Sequence, residues 1–248
     1  MEANVTRRGR NLTLLANLVW MKTIDIGSSG TEGQDGPSNP YDFNSYRGVA
    51  DFDQALRITG SANYLFPRFH VNGILGSVAN GWQGNAIVTS QSGLPISVYS
   101  GVDNSESGIN NDLAEYTGVS PKRPPGASKI TEWFNPAAFE KNPAPSAANG
   151  YAQSFGNVPR NSLRGPAFED TDLSLFKDIA SEKRIHGQFQ AEVFNAWNHT
   201  NLSNPGSTVS SAATFGAITA TSSSTGSVNT PSLVGTQRIW QFVGRIIF

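Results

Sequence analysis

The sequence predicts an all-β protein, an antiparallel up-and-down meander of about six long strands. Three observations carry this. Apolar and polar residues alternate with a period of two, not 3.6, in six separate segments. Gly 25, Pro 14, Ser 28 and Asn 22 fill more than a third of the 248 residues with turn and loop formers, where a helical bundle would be rich in Ala, Glu, Lys and Leu. No run approaches the about 18 apolar residues of a membrane-spanning helix.

The first segment needs separating from a secretory signal. Arg7, Arg8 and Arg10 ahead of Leu12 to Met21 have the outline of one. However, Asn11, Thr13 and Asn17 interrupt the apolar run, and Lys22-Thr23-Ile24-Asp25 offers no small-residue cleavage site. A strand fits better, with Leu12, Leu14, Ala16, Leu18 and Trp20 on one face. In the second, Leu56, Ile58, Gly60, Ala62 and Tyr64 oppose Arg57, Thr59, Ser61 and Asn63.

The third sets Trp82, Ala86 and Val88 against Gln83, Asn85 and Thr89, and is expected to run on to Tyr99 through a bulge at Gly93-Leu94-Pro95. The fourth, near Thr171 to Lys177, is weaker: Leu173 and Leu175 oppose Asp172 and Ser174. The fifth is clearest, with Ile185, Gly187, Phe189, Ala191 and Val193 opposite His186, Gln188, Gln190 and Glu192. The sixth places Trp240, Phe242, Gly244, Ile246 and Phe248 opposite Gln241 and Arg245.

Connection lengths alternate. Long loops are expected at about 25–50, 101–165 and 198–234, and short links at Phe66 to Asn80 and Ile179 to Arg184. Structureless loops this long are uncommon in a compact soluble domain; long loops on one side and short turns on the other are the rule in outer-membrane barrels. Short links on the inner side bring the chain to an inner-side end at Phe248. Trp20, Trp197 and Trp240 then fall near the outer rim of the apolar face, and Trp82 near the inner rim with Tyr64 beside it, as interfacial aromatic girdles do. Alternation by itself is shared with a sandwich core, which those rings could equally fill.

Net charge −1 and pI near 6.3 leave no electrostatic footprint for nucleic acid or anionic lipid, and no nucleic-acid partner is expected. The absence of cysteine removes disulfides, thiolate metal sites and Cys nucleophiles.

Several ordered blocks resemble one family. Asn39-Pro40-Tyr41, Asp51-Phe52-Asp53, Gly81-Trp82-Gln83, Gln91-Ser92-Gly93-Leu94-Pro95, Trp133 to Phe139 (WFNPAAF), Gly156 to Pro166 (GNVPRNSLRGP), Asp172 to Lys177 (DLSLFK) and Ala191 to His199 (AEVFNAWNH) resemble the C-terminal part of TonB-dependent outer-membrane receptors of the Oar-like type. The resemblance implies a 22-stranded transmembrane β-barrel, an N-terminal plug, and a segment that engages the inner-membrane energising protein TonB.

Residues 1–248 are then expected to be an incomplete portion of that barrel, without a plug domain, from a truncated reading frame in which Met1 is not the original start. In the intact receptor, located in the outer membrane of a Gram-negative-type bacterium, the function would be energised import of a scarce, unknown extracellular ligand. Arg57, Gln83, Asn85, His186, Gln188, Gln190, Glu192 and Arg245 are expected to face the lumen and the plug, with lipid on the other side. The terminal comb of Trp240, Phe242, Gly244, Ile246 and Phe248 resembles the signal read by the barrel-insertion machinery, which can capture an exposed strand edge by β-addition. The alternative is a soluble extracellular β-sandwich that binds carbohydrate or a surface partner through the same loops.

No enzyme, cofactor or metal site is expected. Ser174-Leu175-Phe176-Lys177 fits the S-x-x-K spacing of acyl-enzymes, yet on a strand residues three apart point to opposite faces. His70, His186 and His199 are scattered without metal-ligand spacing. Asp103, Glu106, Asp112 and Glu115 lack the calcium-loop rhythm and read as a solvated loop. The sequons at Asn4, Asn11, Asn198 and Asn201 are incidental in a bacterial chain.

Overall fold

A computed structural model describes residues 1–28, 39–71, 73–108, 112–180, 186–222 and 237–247. Seven long strands form one antiparallel sheet: β1 (Glu2–Arg8), β2 (Leu12–Trp20), β3 (Leu56–Leu65), β4 (Trp82–Gln91), β5 (Phe168–Ala180), β6 (His186–Phe194) and β7 (Ile239–Ile247). Each pairs with the next in sequence, which makes the sheet an up-and-down meander. A seven-residue helix, α1 (Gly73–Ala79), lies in the link between β3 and β4. No helix among the described residues is long and apolar enough to cross a membrane, which leaves crossing by strands open.

Seven strands rather than six follow from β1, which pairs with β2 from Glu2 opposite Val19 to Arg8 opposite Thr13. The adjacent Arg7 and Arg8 break its alternation and hide it in the sequence. The basic stretch and the apolar run after it therefore form a hairpin, closed where the Gly9 amide donates to the Leu12 carbonyl at 2.7 Å.

Two further boundaries differ from expectation. The third predicted strand does not continue to Tyr99: β4 stops at Gln91, and Pro95–Ile96 pair separately with Leu163–Arg164. The cause is local. Gly93 lies against the Gly165 carbonyl so closely that any Cβ would strike it, and Pro95 has no amide for a continuing ladder. The fourth strand, weak in sequence, is the longest at 13 residues, because its neighbours on both sides enforce it. Ile185, expected in the fifth strand, lies outside the described residues.

Register turns the period of two into rows. Thr13, Asn63, Asn85, Ser174, Glu192 and Gln241 stand directly opposite one another across six strands. One position along, Leu14, Ala62, Ala86, Leu173, Val193 and Trp240 form the matching row on the other face. A slip of one residue would exchange the two faces, so a different solvent on each side fixes the register.

The apolar face is uncovered apart from Lys177 and Val193, which are buried. Ile58, Val88, Leu175, Phe189, Trp240, Phe242 and Ile246 are exposed, Ile246 by 71%. A sandwich requires a second layer there, and none of the described residues supplies it. The buried core lies elsewhere, within the long loops: Val98, Ala114, Phe134, Ala138, Phe139, Val158 and Phe215, with Tyr116, Trp133, Leu163 and Val209 packed around them. Phe134 meets Phe139 and Phe215 edge-on, with ring centroids 5.5 and 5.2 Å apart. Each buried Phe contributes about 1.5–3 kcal/mol, which orders segments that composition alone marks as loose. The described parts of the loops thus make a folded cap at the end of the sheet that carries Trp20 and Trp240.

Candidate functional site

The polar face of the sheet is concave and holds a cleft of about 410 Å³. Thr13, Asn63, Asn85, Asp172, Ser174 and Glu192 line it, together with the rings of Phe176 and Phe194. Asn85 is its hub. The side-chain oxygen of Asn85 accepts from Asn63 Nδ2 at 2.6 Å and from Gln83 Nε2 at 3.2 Å, and its Nδ2 donates to Ser174 Oγ at 3.4 Å. Gln190 Nε2 donates to Glu192, and Gln188 Nε2 to Asp178 Oδ1 at 3.0 Å. Such a ladder of amides and carboxylates presents hydrogen-bond donors and acceptors along the face.

The residues expected on this face fall as follows. Gln83, Asn85, Gln190 and Glu192 share the central rows. Gln188 and Arg245 are direct partners near the end away from the cap, and Arg57 opposes Gln91 near the cap end. His186 pairs through its backbone with Ile247, but its side chain lies outside the described residues. Of the terminal comb, Trp240, Phe242, Gly244 and Ile246 alternate on the apolar face, whereas Phe248 lies outside the described residues. The sequence reading missed Leu65, Ile87, Phe176 and Phe194, apolar positions on the polar face.

Above the sheet, residues 156–166 fasten two loops together. The Arg160 guanidinium is buried: it pairs with Asp25, donates to Asp51 at 2.9 Å and to Ser28 Oγ at 2.6 Å, and lies 5.4 Å from the centroid of the buried Tyr46 ring. Burial opposes its charge, but hydrogen bonds and the charges of Asp25 and Asp51 outweigh burial and raise its pKa. Burial likewise works against the Asp25 carboxylate, yet the Ser28 hydroxyl and Arg160 reverse this and hold its pKa below the ordinary value. Asn161 Nδ2 donates to the Val49 carbonyl at 2.6 Å and to Asp51, and Arg164 pairs with the fully buried Asp53. Gly48 admits the Arg160 backbone at this crossing, where a Cβ would meet the Arg160 carbonyl.

The acidic loop is not solvated throughout. Asp112 is fully buried and accepts from the Ser105 amide at 2.8 Å, Ser105 Oγ at 2.6 Å and Asn142 Nδ2 at 2.9 Å. These donors take the place of water, so the carboxylate organises the loop. Asp103 accepts from the Ser107 and Gly108 amides at 3.0 and 2.9 Å. Among the described residues no group of three or more His, Asp or Glu could hold a metal ion.

Other singled-out residues have structural places. Ser174 lies in the concave cleft while Lys177 lies on the opposite face, buried against α1, so the S-x-x-K pair cannot act together. Asn201 is fully buried and clamps Glu169 like a strand neighbour, accepting from its amide and donating to its carbonyl, both at 2.9 Å. Trp20 and Trp240 stand at strand ends on the cap side, Trp197 just beyond β6, and Trp82 at the opposite end, at the start of β4. The fifth, Trp133, belongs to the cap and donates to the Arg164 carbonyl at 2.7 Å.

Comparison with known proteins agrees with a wall of this kind. The model of the outer membrane beta barrel domain family matches residues 1–241. The chain belongs to the outer membrane beta barrel domain family, which points to the outer membrane of Gram-negative bacteria. No curated protein and no solved structure gave a match. An uncovered apolar face is what that family requires, and the soluble-sandwich alternative is set aside on both grounds.

Proposed function

We propose that the chain supplies barrel wall and extracellular loops to a TonB-dependent outer-membrane receptor of the Oar-like type that imports a scarce ligand. The observation that carries this is where the family-like blocks fall. WFNPAAF supplies Phe134, Ala138 and Phe139 to the cap core, and GNVPRNSLRGP supplies Val158 and the fastening residues Arg160, Asn161 and Arg164. The segments that resemble the receptor family therefore build a rigid extracellular cap over a wall with a hydrogen-bonding concave face. That pairing suits ligand capture outside and a seated plug within.

The sheet supports a larger barrel. β1 and β7 lie at its two edges, and unpaired backbone groups in hydrocarbon cost several kcal/mol each. The partners assigned are the remaining strands of a 22-stranded barrel, its plug, TonB acting through the plug, and outer-membrane lipid on the apolar face. The barrel-insertion machinery reads the comb from Trp240 to Phe248. No catalytic step, cofactor or metal is assigned.

The test is affinity purification of the tagged chain from outer membranes of a host that also makes the rest of such a receptor. The expected product is a heat-modifiable barrel that contains the plug-bearing portion and forms only when both parts are present. A chain that closes alone into a monomeric barrel, with no partner strands, refutes the proposal.

A further inference from the structure

Residues 66–81 join β3 to β4 at the inner end of the sheet, and α1 within them carries no charged side chain. Its Ile74, Leu75 and Val78 occupy one helical face and are 85, 72 and 60% exposed. In water that surface has no reason to remain bare. The way the helix is held shows which side of the wall it occupies.

Lys177 alternates with Leu173, Leu175 and Ile179 on the apolar face and stands opposite Trp82 and Phe189. An ammonium on that face would meet hydrocarbon. Instead Lys177 is buried, donating to the Ser77 carbonyl at 2.6 Å and to that of Asn80, with its Nζ 5.3 Å from the Trp82 ring centroid. Trp82 Nε1 donates to the Val78 carbonyl at 2.8 Å. These carbonyls are the unpaired acceptors at the negative end of the helix dipole. Two outward-facing side chains of the wall thus grip the C-terminal end of α1. Gly76 makes the turn before it close enough, since any Cβ there would strike the Val71 carbonyl.

We propose that α1 is an interfacial helix: its Ile74–Leu75–Val78 face beds in the acyl chains of the inner leaflet of the outer membrane, with Trp82 and Lys177 at headgroup level. Phospholipid is the occupant because Lys177 and Trp82, both on the lipid-facing side of the sheet, hold the helix on that side with its apolar residues exposed. Tyr64 and Phe66, with ring centroids 5.1 Å apart, stand on that side of the sheet near the same end, the Phe66 ring over Gly84, and Trp and Lys are the residues that settle at such a boundary. The inference rests on the assignment of the apolar face to lipid.

The cysteine-free chain allows unique labels. Leu75→Cys and, separately, Ile74→Cys carry a bimane in the chain co-assembled with the rest of its barrel and reconstituted in dioleoylphosphatidylcholine vesicles doped with brominated phosphatidylcholine; Phe189→Cys reports the lipid face and Ser61→Cys the concave face. The helix labels and the Phe189 label should be quenched about twofold by brominated lipid and shielded from iodide, as expected for a helix lying in the interface. Helix labels open to iodide, or protected from both quenchers as under a protein partner, overturn the inference while the Phe189 label still senses lipid. Loss of lipid quenching at Phe189 as well overturns the membrane assignment with it.

Discussion

Replacing Arg160 by Met should release residues 156–166 from the loop between β2 and β3 without unfolding the wall. The Arg160 side chain is 1% exposed, whereas its partners Asp25 and Asp51 keep 24 and 42% of their side-chain surface. Breaking a buried pair typically costs about 3–5 kcal/mol because the remaining charge stays buried. Here both carboxylates still reach water, which favours the low end, about 3 kcal/mol, or about a hundredfold in the local opening constant. Hydrogen exchange read by mass spectrometry should accelerate by that factor in peptides covering 21–28 and 44–53, with strands β4 and β5 unchanged. Exchange within threefold of the parent in those peptides would refute the reasoning.

The same variant has a pH signature. The Asp25 pKa is lower folded than unfolded, so its contribution is present above the ordinary carboxylate pKa and is lost as pH falls through the lower folded value. The gap between parent and Arg160→Met should therefore be full at neutral pH and shrink in acid. A gap that widens on acidification contradicts the ion-pair account.

Phe134→Ala removes the ring at the centre of the cap core and should cost about 3–5 kcal/mol of cap stability, visible as lost near-ultraviolet circular dichroism with the strand signal kept. Val88→Arg and Thr89→Arg compare adjacent residues on opposite faces of β4. In the chain co-assembled with the rest of its barrel, the first should lower insertion into vesicles by about 2–4 kcal/mol and the second by much less, read as folded fraction on unheated gels. Asn201→Ala strips both backbone groups of Glu169 of their clamp and should destabilise the outer end of β5 by about 1–3 kcal/mol, measured as faster amide exchange at 168–171.

The wall was legible because lipid and lumen impose opposite demands on neighbouring residues, and Ile185 to Val193 and Trp240 to Phe248 record that alternation directly. It blurred where one side chain answers to something beyond the sheet. Lys177 breaks the apolar face because α1 receives it, and Phe176 and Phe194 break the polar face because they line the cleft. β1 was missed because Arg7 and Arg8 stand side by side. The cap was illegible for a different reason: its core joins Val98, Phe134, Val158 and Phe215, too far apart in sequence to share a period. Its motif blocks were visible as words but not as contacts. Asp112 read as solvated because burial depends on Ser105 and Asn142, whose approach no spacing rule encodes.

A wall bounded by two media has no inside of its own; the dry cluster of rings hangs outside it, held by a few charged clasps. Heating should therefore melt the molecule in two stages, the crown before the palisade.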